Sequence, residues 1–176
     1  MTPDQTTMGK RLIAPIVGRH VRLRLLEEVD LPTTLAWRNQ DSIRRWFFHS
    51  DLISPQQHHD WFEQYRERDD DFVFIIEEVH VLKRPVGQVA IYQIDWQKRT
   101  GEFGRLMIGD EEAGRRGLAS EATKLLVDSA LESWGLDEVF LETFADNIAA
   151  VSVYKRCGFG LSGVKGRVLL YSKRSG

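Results

Sequence analysis

Cysteine is nearly absent from this chain, with Cys157 the only one in 176 residues. An intrachain disulfide and a cysteine-rich zinc site are therefore excluded. No stretch is apolar enough to span a bilayer, and the first residues, with Asp4 among Thr and Gln, lack the apolar core of a signal peptide. A cytoplasmic location and no membrane partner are the resulting expectations. Excess charge is missing too: 24 basic against 26 acidic side chains leave a net charge of −2. That balance argues against coating a nucleic acid, while leaving room for a local basic patch over an anionic ligand. Internal repeats, low-complexity segments and the common nucleotide loops are also absent, since neither Gly-Lys-Ser/Thr nor Gly-x-Gly-x-x-Gly stands after a strand.

What is present is enough for one domain, because 176 residues with 42% hydrophobic side chains can bury a real core. Residues 1–15 read as a flexible N-terminal segment and 16–176 as the domain, with the polar start to about Gly9 expected to be loosely ordered. Val21–Leu25 alternates apolar and cationic side chains with the period of a half-buried strand. Asp30 is placed to cap a short helix running to Trp37-Arg38-Asn39, and Ser54-Pro55 starts another that runs to about Arg66. Phe72–Ile76, Val86–Ile94 and Glu102–Ile108 read as an antiparallel meander, their connections being too short for helical crossovers. Ala119 through Trp134 then has helical spacing, Glu138–Thr143 forms a strand, Asn147 caps a helix ending at Cys157-Gly158, and two strands close the chain. The strands before and after the long helix are joined by a crossover and should lie parallel. The fold class is α+β: a mixed, mostly antiparallel sheet of about seven strands flanked by helices, with a ligand entering between the carboxyl ends of the parallel pair.

Chemistry concentrates first in Gly109–Ala122, where Gly114, Arg115, Arg116, Gly117, Leu118 and Ala119 join a strand to the long helix. Alone, a Gly-x-x-Gly pair is a turn. Between a strand and a helix start, it offers close backbone approach, unpartnered N–H groups and the positive end of a dipole to an anion. The second stretch is Asn147 to Phe159, in which positions 147, 150, 154 and 158 share one helical face. Asn147 alone reads as a cap and Tyr154 alone as a core aromatic.

Together the two stretches resemble the GNAT superfamily of acyl-CoA-dependent N-acetyltransferases, over Val21 to Tyr171. The family's pyrophosphate motif, Gln/Arg-x-x-Gly-x-Gly/Ala, corresponds to Gly114–Ala119, with Gly114 departing from the usual Gln or Arg. The second signature, Asn-x-x-Ala-x-x-x-Tyr-x-x-x-Gly-Phe, matches at Asn147, Ala150, Tyr154, Gly158 and Phe159. The resemblance implies acetyl-CoA as co-substrate, its phosphates on the Gly114–Ala119 backbone with Arg115 and Arg116. Its pantetheine arm would meet Asn147 and pair with the backbone of Leu106, Met107 and Ile108. It also implies direct attack of an amine on the thioester in a ternary complex, with Tyr154 as general acid and a backbone N–H near Met107 polarising the carbonyl. For the general base Glu102 comes first, Glu142 second and His49 third, and a water chain without a dedicated base is the alternative. Cys157, at a helix end, reads as a packing residue.

The acceptor side is expected in the helical segment after the first strand, with Arg38, Asn39, His49 and Trp61 as substrate-binding residues. The combination of Trp37-Arg38-Asn39, Trp46-Phe47-Phe48-His49 and Trp61-Phe62 looks like the N-acetyltransferases of nucleotide-linked amino sugars. Aromatic faces suit a ring and Arg38 a phosphate. The alternatives are N-terminal acetylation of a ribosomal protein, acetylation of an aminoglycoside, and an acyl-CoA-binding sensor without turnover. His58 and His59 are adjacent on a helix and cannot face one metal, so no metal is expected. Oligomeric state is open between monomer and homodimer.

Overall fold

The computed structural model describes residues 9–176, and the stretch before Gly9 lies outside the described residues. Eight strands form one sheet in the order β1-β2-β3-β4-β5-β6-β8-β7: β1 (Ile16–Val17), β2 (Val21–Leu25), β3 (Phe72–Glu78), β4 (Arg84–Asp95), β5 (Thr100–Ile108), β6 (Glu138–Phe144), β7 (Gly160–Lys165) and β8 (Val168–Arg174). The strand beyond the seven expected is β1, whose two residues are too few to show a period. Among the described residues only β5 and β6 run parallel, and their pairing ends at Glu102 opposite Phe140. Beyond that point the two strands diverge.

Helices cover both faces: α1 (Leu31–Arg38), α2 (Asp41–Arg44) and α3 (Pro55–Tyr65) on one side, α4 (Leu118–Glu132) and α5 (Ile148–Arg156) on the other. The continuous apolar run of β3 follows from this. Phe72, Phe74 and Ile76 pack with Ala122, Leu126 and Ala130 of α4, while Val73 and Ile75 pack with Leu31, Phe62 and Tyr65. Ser54 caps α3 in a reciprocal capping box with Gln57. Asp30 stands at the start of α1, but its carboxylate pairs with Arg24 at 2.7 and 2.8 Å and accepts the Glu27 N–H instead of capping the helix. A partly buried arginine competes better for a carboxylate than a helix N–H does.

The segment before β1 is pinned from Lys10 onward. Its ammonium lies over the Tyr65 ring, 3.6 Å from the centroid, and donates to the carbonyls of Tyr65, Arg68 and Asp71. Arg11 pairs with Asp69 and stacks on Trp96. Among the described residues, no helix is long and apolar enough to cross a membrane, and no group of His, Cys, Asp and Glu is placed to hold a metal ion.

Candidate active site

The site begins with an irregularity in β5. Gln88 pairs with Met107 and Ala90 with Gly104, so Val89 alone faces both Arg105 and Leu106. This is a β-bulge, and it puts Arg105 at φ +53°, a conformation costing a non-glycine residue about 1–3 kcal/mol. Three interactions hold it there. The guanidinium pairs with buried Asp71 at 2.7 Å, lies 4.2 Å from the centroid of the Tyr92 ring, and the Arg105 carbonyl accepts from Gln88 Nε2. A bulge bends its strand, which accounts for β5 leaving β6 after Glu102.

The wedge between the diverging strands is a cleft of about 390 Å³. Leu106, Met107 and Ile108 line one wall, Glu142 and Thr143 the other, and Ala119, Asn147 and Tyr154 close it from the helical side. Asn147 fills both roles that its position allows: it faces the cleft, and its Oδ1 accepts the Ala150 N–H at 3.4 Å as the cap of α5. Tyr154 is buried against Phe103 and Phe159, and that burial pushes its hydroxyl up to about 12. At neutral pH it holds its proton, as a general acid must. Cys157 is buried with its thiol raised by that burial and donating to the Ser120 carbonyl. It is a packing residue.

At the end of the cleft lies the loop into α4. Gly117 takes φ +73° and Arg115 φ +60°, which turns the backbone onto the helix start, while Arg115 and Arg116 are exposed and Leu118 is buried in the core. Asp110 and Glu112, just upstream, are drawn off by Arg84 at 2.7 and 3.3 Å. Arg84 thereby offsets two of the acids that precede the helix start. Of the expected phosphate-loop residues, Ala119 is the one lining the cleft; Gly114 to Leu118 precede it in the chain and do not line it.

A second cleft, about 530 Å³, joins the first through Phe47, Phe48, Tyr92, Arg105 and Met107. Arg38, His49 and Trp61 line it. Asn39 lies outside both clefts, because its amide is spent on the loop: Nδ2 donates to the Ile53 carbonyl and Oδ1 accepts the Ile53 N–H. It shapes the wall rather than facing an acceptor. His58 joins the lining, its ring stacked on Trp61 and its Nε2 3.0 Å from Thr34 Oγ, and burial lowers its pKa. Phe48 reaches across to Phe144, the last residue of β6, with ring centroids 4.8 Å apart.

Glu102 lines neither cleft. Tyr92 stands at their junction and donates its hydroxyl to Glu102 at 3.1 Å. Burial raises the Glu102 carboxyl, the Glu142 charge raises it further, and the Tyr92 hydrogen bond opposes both. Tyr92 escaped sequence reasoning because only the register, in which it pairs with Glu102, shows the connection.

A wedge between two splayed strands, joined to a second cleft, suits a group-transfer enzyme that takes two substrates. The chain belongs to the GNAT acetyltransferases: the family model described as Acetyltransferase (GNAT) domain matches residues 20–160. It is thus an acetyl-CoA-dependent N-acetyltransferase. The spermidine N(1)-acetyltransferase of Escherichia coli K12 is 27% identical over 143 residues, 81% of this chain and 74% of that protein. Its counterpart from Vibrio cholerae is 25% identical, covering 81% and 80%. Among solved structures, the V. cholerae spermidine N-acetyltransferase in complex with CoA and spermine superposes with a TM-score of 0.79 at 22% identity, over 89% of this chain and 96% of that one. A GNAT-family acetyltransferase from Bacillus anthracis superposes at 0.78 with 12% identity, over 92% and 99%.

Proposed function

We propose that the chain acetylates the primary amine of a nucleotide-linked amino sugar. The observation that carries this reading is the lining of the second cleft, where Phe47, Phe48, Trp61 and Tyr92 supply ring faces and Arg38 supplies a buried guanidinium with a nitrogen unpartnered among the described residues. Ring stacking suits a base or sugar, and the Arg38 guanidinium suits a phosphate. Spermidine, the acceptor named for the relatives, is a polycation and would meet the uncompensated guanidinium of Arg38 here. In the reaction, acetyl-CoA supplies the activated acetyl group. The loop before α4 binds its phosphates, the β5 backbone from Leu106 to Ile108 holds its arm, and Asn147 orients it. Tyr154 keeps a proton for the leaving sulfur. Tyr92 and Glu102 take up the proton that the attacking nitrogen loses, Tyr92 at the cleft surface and Glu102 behind it.

The test is a thiol-release assay over an amine panel containing an amino-sugar nucleotide, spermidine, an N-terminal peptide and an aminoglycoside. The amino-sugar nucleotide should give the highest kcat/KM. Turnover confined to spermidine, peptide or antibiotic would overturn the acceptor while leaving the chemistry. Tight CoA binding with no thiol release for any amine would support the sensor alternative.

A further inference from the structure

Arg38 stands out because its guanidinium is buried and only half satisfied. The residue is 9% exposed, it lines the second cleft, and its Nη1 has no hydrogen-bond partner among the described residues. The other terminal nitrogen is held. Nη2 donates to the His49 carbonyl, and the guanidinium lies over the Phe47 ring, 4.3 Å from its centroid. No carboxylate among the described residues pairs with it, Arg44 adds like charge nearby, and burial disfavours its charged form. A buried guanidinium without a counter-charge is costly, and an arginine stays protonated at any ordinary pH, so it does not escape the cost by neutralising. Its surroundings are rigid as well. Asn39 clamps Ile53 in both directions, which fixes the loop that carries His49 to Ile53 against α1. Of the other basic side chains in the cleft, Arg105 is paired with Asp71 and burial favours neutral His58.

We infer that Arg38 is the anion-reading group of the acceptor cleft, its Nη1, closed off beneath the lining in this structure, turning out to a phosphate or carboxylate oxygen when an acceptor enters. This rests on reading the second cleft as the acceptor side. It makes Arg38 a specificity-determining residue, because an acceptor lacking an anion leaves a buried donor unpaired whereas one carrying it satisfies that donor. Arg38 lies away from Tyr154, which lines only the first cleft. Its role is therefore in selecting the acceptor, and the donor site is separate.

The experiment is calorimetric titration of uridine diphosphate, inorganic phosphate and succinate into enzyme already saturated with CoA, so that the donor's own phosphate site is filled. At least one of the three should bind. Arg38→Gln should weaken it about 10- to 100-fold, as loss of a charge-assisted hydrogen bond would, without changing CoA affinity. Arg38→Lys, which keeps the charge but not the fork, should recover only part of the loss. Which probe binds separates a phosphate reader from a carboxylate reader. Melting curves with CoA present establish that each variant is folded, and if Arg38→Gln is not, Arg38→Lys alone carries the comparison. Equal anion affinity in wild type and variants, or no binding of any of the three, overturns the inference. The amine panel is read separately. An Arg38-dependent anion site with turnover only on spermidine sinks the acceptor reading and leaves Arg38 as an anion site. Unchanged anion binding beside turnover of the amino-sugar nucleotide does the reverse.

Discussion

At the residue scale the site depends on where protons sit. Tyr154, raised to about 12, is protonated throughout the working range, so its loss as an acid should appear in turnover rather than in pH dependence. Tyr154→Phe should lower kcat about 10²–10⁴-fold at nearly constant CoA affinity. Single-turnover rates measured beside CoA titrations check this, and an unchanged chemical rate would remove Tyr154 as the acid. Glu102 predicts the opposite behaviour. Its folded pKa is raised, first by burial and then by the charge of Glu142. As a base it must be deprotonated, so kcat/KM should rise with pH through that raised value. Glu142→Gln removes one of the causes and should move this rise to lower pH, whereas Glu102→Gln should abolish it. A rise that stays in place in both variants would mean that the proton leaves by water.

At the scale of elements, the bulge and the loop into α4 decide whether a donor site exists at all. Gly117 holds φ +73° at the start of a helix, and a β-branched side chain there is strained. Gly117→Val should cost about 1–2 kcal/mol and displace the first helical N–H groups, weakening CoA binding about tenfold. Charge reversal at Arg115 and Arg116 together should weaken it further, and more so at low salt, because both side chains are exposed. Affinity for CoA that survived both changes would argue against this loop as the phosphate site. Most of this layout was legible in the sequence, since β2 to β6, α3, α4 and α5 each carry a long periodic run or a cap-and-glycine signal. What escaped has physical reasons. The bulge turns on an arginine at positive φ, which tertiary contacts with Asp71 and Tyr92 enforce and which no local propensity announces. The four-residue α2 is too short for a helical period. Asn39 and Arg38 are neighbours in one motif, yet one is consumed by a loop and the other left with a free donor, a difference that lies in the path of residues 47–53.

At the scale of the whole molecule, the floor of the site is tied to the first described residues through Asp71. Its carboxylate holds Arg105 in the bulge, and its carbonyl accepts from Lys10, which also bonds the end of α3. This clamp has a pH signature. Burial is the largest influence on Lys10 and lowers it to about 8, the acids Asp69, Asp70 and Asp71 opposing that fall. Between about 8 and its ordinary value the unfolded chain binds more protons at this position than the folded one, so stability contributed by Lys10 rises with pH across that window. Below about 8 the penalty for burying the charge is fully present. Lys10→Met removes the titration and keeps an apolar side chain over Tyr65 and Phe72. The variant's melting temperature should therefore gain least from the substitution, or lose most, relative to wild type at pH 10, and compare best at pH 7. Because Lys10 also bonds the Asp71 carbonyl, the same variant should loosen the Arg105 bulge and raise the KM for the amine more than that for acetyl-CoA. Melting curves at several pH values, with KM measured for both substrates, test the coupling. A melting difference that is flat with pH would place the Lys10 charge in solvent, and matched changes in the two KM values would show that the clamp does not reach the acceptor side.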